Sequence, residues 1–280
     1  MAIGFIGLGN IGKPIARHLL KLAEPVHVFD VAPAPVADLV AAGAIGAPSV
    51  AALARACRHV GVCVRDDADV EALLRGEDGL LAHLARDSVL AIHSTVTANA
   101  IVGWKKDCAA RGVHLVDAPI TGGASGAEAG TLAYMLGGDP AVLDRCEPIF
   151  ATSSTKQVRA GAVGAGTGLK LCNNLMTYAA FNAIHEAGRL AKASGLDPAL
   201  LVEVGRANGV VTTQMEQFFV NRSKLAALGP EQMEQLFGGF GKLATKDLGA
   251  AIASARALGV SVPATEFLQP LIESVFLDRG

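Results

Sequence analysis

The segment Ile3-Gly-Phe-Ile-Gly-Leu-Gly-Asn-Ile-Gly12 constrains this chain more than any other. Gly7, Gly9 and Gly12 stand in the spacing G-x-G-x-x-G, behind the apolar run Ile3–Ile6 and ahead of a helical pattern in which Ile11, Ile15 and Leu19 recur every four residues. A strand that enters a glycine turn and leaves it as a helix is suited to binding phosphate. Gly7 permits the tight turn, Gly9 lets the backbone approach a pyrophosphate, and Gly12 lets helix and strand pack closely. The helix start adds N–H groups and the positive end of its dipole. Leu8, Asn10 and Ile11 complete the expected cofactor loop. The second apolar run, Val26–Asp30, ends on an acid 18 residues after Gly12. A carboxylate there accepts hydrogen bonds from the adenosine ribose and repels a 2′-phosphate. No Lys or Arg occurs between Asp30 and Arg55, so the expected cofactor is NAD, not NADP.

Further apolar runs at His59–Val64, Ser88–His93, Val113–Ala118 and Leu132–Leu136 predict strands. Lys13–Ala23, Val50–Cys57 and Ala98–Arg111 predict helices between them. Short strands alternating with helices are the pattern of an α/β parallel sheet. Strand signals stop after about Arg159, and helices are expected from Leu169 onward, with starts at Asp197-Pro198, near Pro230 and near Pro263. The expected organisation is an α/β dinucleotide-binding domain over 1–162 and an all-helical domain over 163–280, joined at the glycine cluster Gly161–Gly168.

Charged residues make up 18% of the 280-residue chain and the net charge is −2. Nothing supplies the cationic excess a nucleic-acid binder needs. The low charge predicts a large core together with subunit contacts, hence a homodimer or homotetramer. Apolar segments such as Phe218-Phe219-Val220 and Leu271–Leu277 are the expected contact surfaces. Five scattered cysteines with no C-x-x-C suggest neither a disulfide framework nor a metal site. No apolar window is long enough to span a bilayer, and the N-terminus does not read as a signal peptide. A cytoplasmic protein is expected.

A second glycine-rich stretch, Asp117–Gly138, follows the predicted strand Val113–Ala118 at its C-terminal end, where open α/β sheets bind ligands. Thr121, Gly122 and Gly123 offer a hydroxyl and successive N–H groups, a cradle for a carboxylate, although a glycine connector needed only for backbone geometry would read the same way. The stretch lacks the G-K-[ST] of a triphosphate loop, and Gly123-Ala-Ser-Gly-Ala127 misses the last glycine of a nucleophile elbow. Lys170 raises a different question, being the only Asp, Glu, Lys or Arg between Arg159 and Glu186. It lies four residues before Asn174 and so shares a helical face with it, with Asn173 and Thr177 close by. Leu171, Leu175 and Tyr178 are expected to pack elsewhere.

In four separated motifs the chain resembles the β-hydroxyacid dehydrogenase family, which includes 3-hydroxyisobutyrate dehydrogenase and relatives of 6-phosphogluconate dehydrogenase. The motifs are Gly4–Gly12, Asp117–Gly123 continuing to Gly130-Thr-Leu132, Gly164-x-Gly-x-x-x-Lys-x-x-x-Asn174, and Lys246-Asp-Leu248. The resemblance implies a Rossmann domain, a long connecting helix and an all-helical C-terminal domain. It implies a hydride transfer between NAD(H) and a small β-hydroxy acid or semialdehyde. It makes Lys170 the general acid and base, Asn174 a substrate-site residue, and Thr121, Gly122 and Gly123 the carboxylate loop. Thr95 would lie beside the nicotinamide, and Lys246 would reach the cofactor from the helical domain. Val64 and Arg65 fall where the family often has Leu-Pro, in a loop that borders the cofactor. Thr121 replaces the more frequent serine and keeps the hydroxyl, and Ala207–Phe219 matches no subfamily and so assigns no particular substrate. No metal is called for. Two other functions share part of this pattern: an NADPH-dependent imine reductase, which Lys170 and Asp30 oppose, and a non-catalytic dinucleotide sensor, which would need neither Lys170 nor the second glycine stretch.

Overall fold

The computed structural model describes residues 2–225 and 228–279. The chain divides into two compact units, Met1–Lys170 and Leu171–Gly280. The first begins with β1 (Ala2–Ile6), α1 (Gly12–Leu19), β2 (Val26–Phe29), α2 (Pro33–Ala41), β3 (Ile45–Gly46) and α3 (Val50–Ala56). It continues with β4 (Cys57–Val62), α4 (Asp67–Leu74), α5 (Leu80–His83), β5 (Val89–Ile92), α6 (Ala98–Ala110) and β6 (His114–Asp117). Its last elements are β7 (Ile120–Thr121), α7 (Gly123–Ala129), β8 (Leu132–Gly137), α8 (Pro140–Phe150) and β9 (Ser154–Gly161).

The strands form one sheet in the order β3-β2-β1-β4-β5-β6-β8-β7, with β9 paired to β8. From β3 to β6 every pairing is parallel, while β8 runs antiparallel to both β6 and β7. Order reverses at β1: β2 and β3 lie on one side of it, β4 to β6 on the other. Two strands diverging from one edge leave a crevice at their carboxyl ends, the place such sheets bind ligands. Both faces of the sheet are covered. Phe5 packs in a cluster with Ile15, Val28 and Phe150, and its neighbour Ile6 in a second cluster with Val62, Leu90 and Trp104. That alternation is why β1 reads as a continuous apolar run. Each such side chain, fully buried, contributes roughly 1.5–3 kcal/mol.

The six expected strands are all present. Three more were not expected. β3 and β7 have two residues each, too few to carry a pattern. β9 is Ser-Thr-Lys-Gln-Val-Arg-Ala-Gly with no fully buried residue, so it lacks the apolar periodicity of the others and is held by its register with β8.

In the second unit are α10 (Pro198–Ala207), α11 (Thr213–Leu225), α12 (Pro230–Ala257), α13 (Pro263–Leu268) and α14 (Ile272–Leu277). The 29-residue α9 (Ala165–Ala193) begins in the first unit, and the division falls within it. Proline opens α10, α12 and α13, where its missing N–H costs nothing. The core of this unit is aromatic: Phe181 stacks on Phe218 at 4.5 Å between ring centroids, and Tyr178 and Phe276 meet Phe181 edge-on. This corrects one expectation. Within the expected segments Phe218-Phe219-Val220 and Leu271–Leu277, the side chains of Ile272, Val275, Phe276 and Leu277 are buried and Phe218 packs on the unit's own core, while Leu271 stays 40% exposed. Further exposed apolar side chains include Leu236, Phe240 and Leu243 on α12. No helix is long and apolar enough to cross a membrane among the described residues.

Candidate active site

The first glycine turn, Gly7 to Gly12, forms as expected between β1 and α1. Gly7 has φ 92°, a value that glycine adopts without strain. Gly12 sits against the turn itself, and a Cβ there would lie 1.9 Å from the Gly7 carbonyl oxygen. Gly9 differs, since a Cβ on it would meet no protein atom within 4 Å. The fold does not need glycine there; a ligand lying on the backbone would. α1 has Ile11 at its N-cap and no capping side chain, as is also true of α2, α5 and α7, whereas α3, α4, α6 and α8 are capped by Ser49, Asp66, Thr97 and Asp139. A helix start that no side chain satisfies suits an anion. Asp30 closes the turn: its Oδ2 accepts from the Leu8 N–H at 2.6 Å and its Oδ1 from the Ala32 N–H at 2.8 Å. A carboxylate has about four acceptor positions, so Asp30 shapes the turn and still has lone pairs for ribose hydroxyls. These residues fit a dinucleotide.

The loops after β4 and β5 come next along the sheet edge and are tied together. The Val64 N–H donates to Ser94 Oγ at 2.8 Å, and Asp67 accepts from the Thr97 N–H at 3.0 Å and its hydroxyl at 2.5 Å. Thr95 lies half-buried between those anchors. Ser94 and Asp67 were not singled out in the sequence, because their partners are 30 residues away. Arg65 extends into solvent, 85% exposed, with its guanidinium on Asp69 at 2.7 Å and 2.8 Å. Its backbone borders the loop, and its side chain is engaged by Asp69.

The second glycine stretch is a strand, a turn and a helix. Thr121 ends β7, paired with Ala133 of β8; Gly122 (φ 125°) and Gly123 (φ 65°) turn the chain into α7. A turn with free backbone N–H groups can form an anion-binding concavity. α7 docks on α1 through His18, whose Nε2 lies 3.0 Å from the Ala127 carbonyl oxygen and 3.1 Å from that of Glu128. Helices from both glycine turns therefore pack side by side. Beneath them, His93 stacks on Phe5 and its Nδ1 lies 3.0 Å from the Ala118 carbonyl oxygen. Burial pushes its pKa down to about 4, and that of the neighbouring His59 to about 3, so both are neutral core residues.

Asp117, four residues before Thr121, is fully buried. Its Oδ1 accepts from the Gly164 N–H at 2.7 Å and its Oδ2 from the Thr167 N–H at 2.6 Å. Burial raises its pKa, and those two N–H groups act against the rise. It caps the start of α9 from the end of β6, where a carboxylate also meets the favourable end of the helix dipole. Close packing reinforces the junction, since a Cβ on Gly166 would stand 2.4 Å from the Met135 carbonyl oxygen. Lys170, half-buried, follows three residues after Thr167.

Asn174, one turn further along α9, is buried. Its Nδ2 donates to Asp247 Oδ2 at 2.9 Å, and the Tyr178 hydroxyl donates to the same oxygen at 3.0 Å. Tyr178 thus has a polar end as well as the packing role expected of it. Lys246 Nζ lies 2.9 Å from Asp247 Oδ1. Asp117 and Asp247 lie inside two of the four motifs, and the sequence marks neither for a role, because their partners are 47 to 73 residues away. Among the described residues no group of three or more His, Cys, Asp or Glu side chains could hold a metal ion.

Comparison with known proteins agrees along the whole chain. Residues 2–164 match the family described as the NAD binding domain of 6-phosphogluconate dehydrogenase. Residues 164–278 match the family described as NAD-binding of NADP-dependent 3-hydroxyisobutyrate dehydrogenase. The 3-hydroxyisobutyrate dehydrogenase of Pseudomonas aeruginosa is 35% identical over 264 residues, 93% of this chain and 87% of that one. An NAD-dependent L-serine dehydrogenase of the same organism is 34% identical over 262 residues, with 93% and 87% covered. A solved structure of Mycobacterium tuberculosis 3-hydroxyisobutyrate dehydrogenase with L-serine superimposes with a TM-score of 0.83 at 26% identity, covering 98% of this chain and 97% of that one. An α/β unit with a dinucleotide turn and a helical unit are each matched in this way, and the chain belongs to the β-hydroxyacid dehydrogenase family.

Proposed function

We propose that the protein interconverts a small β-hydroxy acid and its semialdehyde with NAD(H), Lys170 moving the proton. The observation that carries this reading is the pair of hydrogen bonds that Asp117 accepts from the Gly164 and Thr167 N–H groups at the start of α9. They tie the helix of Lys170 to the strand that feeds Thr121, Gly122 and Gly123.

Bound NAD(H) supplies or takes the hydride. Gly7, Leu8, Gly9, Asn10, Ile11 and Gly12 hold its pyrophosphate and Asp30 its adenosine ribose. Val64, Arg65 and Thr95 border it along the sheet edge, and Lys246 adds a cation. The Thr121 hydroxyl and the N–H groups of Gly122 and Gly123 hold the substrate carboxylate. In reduction Lys170 donates a proton to the carbonyl oxygen; in oxidation neutral Lys170 takes it from the hydroxyl. A lysine can do both, since its ammonium gives a proton and its neutral amine takes one back. Asn174 gives its Nδ2 to Asp247, which leaves its Oδ1 to accept from the substrate hydroxyl.

The preference for NAD over NADP rests on this chain's own residues, since relatives of both kinds occur. Asp30 stands where a 2′-phosphate would come, and Val31, 95% exposed, follows it without a cation. The five free thiols fit a cytoplasmic setting. Leu236, Phe240 and Leu243 share one face of α12 and are 51%, 47% and 44% exposed. They would be covered in a dimer or tetramer, and light scattering showing a monomer at micromolar concentration would remove that part of the reading.

The activity itself is tested by following NADH and NADPH oxidation with a panel of small semialdehydes and cyclic imines, and NAD reduction with 3-hydroxyisobutyrate and L-serine. Turnover of a semialdehyde or hydroxy acid with NAD(H) is expected. Turnover of imines alone would replace the reading with an imine reductase, and binding of NADH without turnover of any of them with a dinucleotide sensor.

A further inference from the structure

Asp30 is not the only acid near the end of β2. Asp38, exposed on α2, pairs through Oδ2 with Lys13 Nζ on α1. The hydrogen bond and charge of Lys13, with the field of Arg17 behind them, hold the Asp38 carboxyl below the usual carboxylate range. These three side chains line an open groove of about 510 Å³ whose walls also include Gly9 and Asn10 of the first glycine turn, Pro35 of α2 and a second acid, Glu128 of α7. The groove adjoins Asp30, because Leu8, also in its wall, donates its N–H to that carboxylate.

What could hold a second phosphate on the adenosine side is limited. α2 has proline at two of its first three positions, Pro33 and Pro35, so its first turn lacks two N–H donors, and it has no basic residue in either end turn. The cations lining the groove are Lys13 and Arg17, both from α1. Whether they are available depends on Asp38. With Asp38 ionised, Lys13 already has an anion, and a 2′-phosphate would have to displace it while facing Asp30. With a neutral residue in its place, Lys13 and Arg17 would front the groove with Glu128 as its one remaining acid and Asp30 beside it, and Lys13 would be released from its ion pair.

We propose that Asp38 is a specificity residue, a second discriminator against the 2′-phosphorylated cofactor that works by occupying Lys13. The inference rests on the NAD(H) reading of Asp30. It differs from that reading in mechanism: Asp30 repels the phosphate directly, whereas Asp38 withholds the cation that would attract it.

The test needs no substrate. NADH and NADPH are titrated by their fluorescence against the wild type, Asp38→Asn, and Asp38→Asn combined with Lys13→Met. Asp38 is exposed, so the asparagine variant keeps the fold, and an unchanged NADH affinity verifies it. Expected is a gain of about tenfold in NADPH affinity relative to NADH in Asp38→Asn, shrinking as salt is raised and absent in the double variant. A ratio of affinities within about twofold of wild type, or a gain that survives loss of Lys13, overturns the proposal. If the wild type itself prefers NADPH, the Asp30 reading fails, and the change between wild type and Asp38→Asn still decides the role of Asp38.

Discussion

In the first glycine turn a Cβ on Gly12 would stand 1.9 Å from one backbone oxygen and a Cβ on Gly7 2.2 Å from another, whereas in the second turn a Cβ on Gly123 would meet nothing within 4 Å. The second turn is glycine because of its dihedral angles, φ 125° and 65° at Gly122 and Gly123. The first turn is glycine at its ends because β1, α1 and the β4 edge pack through it, and in its middle because Gly9 faces open space. Similar composition therefore serves three purposes: close packing, a backbone direction, and clearance for a ligand. Only the last two bear on what the protein binds, and substitutions can separate them.

The largest effect is expected at Gly12. An alanine there overlaps backbone that cannot move aside, and Gly12→Ala should lower stability by about 3 kcal/mol or more, read as a fall in Tm. Gly9→Ala should leave Tm almost unchanged, within about 0.5 kcal/mol, while weakening NADH binding by tenfold or more, roughly 1.4 kcal/mol. If Gly9→Ala also unfolds the protein, the distinction between packing and clearance fails.

His93 offers a test that touches both turns, since it stacks on the Phe5 ring and bonds to the Ala118 carbonyl. Its pKa is pushed down to about 4 and that of His59 to about 3, from 6.5. The unfolded chain then binds more protons than the folded one between those values, so stability is complete above pH 6.5 and is lost as pH falls through that window. At pH 5 the loss should be on the order of 2 kcal/mol per histidine. His93→Phe should flatten the acid side of the Tm–pH curve; an unchanged curve would mean that the ring is already charged or hydrated in the folded state. The smallest effect is expected at Thr121. Thr121→Val removes a hydroxyl and keeps the shape, and should raise the KM for the acid by about tenfold without altering NADH affinity. A parallel loss of NADH affinity would show that the second turn is not a separate seat.

The first turn was legible because its signal is local: three glycines, an apolar run before them and a helix after. Asp30 could be read for the same reason, as the last residue of a strand. The starts of α10, α12 and α13 were marked by Pro198, Pro230 and Pro263. Features built from distant partners were not legible. Asp117 caps α9 across 47 and 50 residues, and Asp247 holds Asn174 across 73. No window of sequence contains both members of such a pair. Phe218 and the buried side chains of Ile272–Leu277 show a different limit, because apolarity says that a side chain will be covered but not by what. β9 shows a third: a strand with no buried face has no period to read.

In the proposed reaction a cofactor lies on one glycine turn and a carboxylate on the other, with Lys170 moving the proton. Lys170→Ala, examined for NADH affinity by fluorescence and for single-turnover semialdehyde reduction, tests that claim most directly. The prediction is wild-type NADH affinity, a nearly unchanged KM and a rate lower by about 10²–10⁴-fold, the usual loss when a general acid is removed. A variant that folds, binds NADH and reduces the semialdehyde at close to the wild-type rate would contradict it.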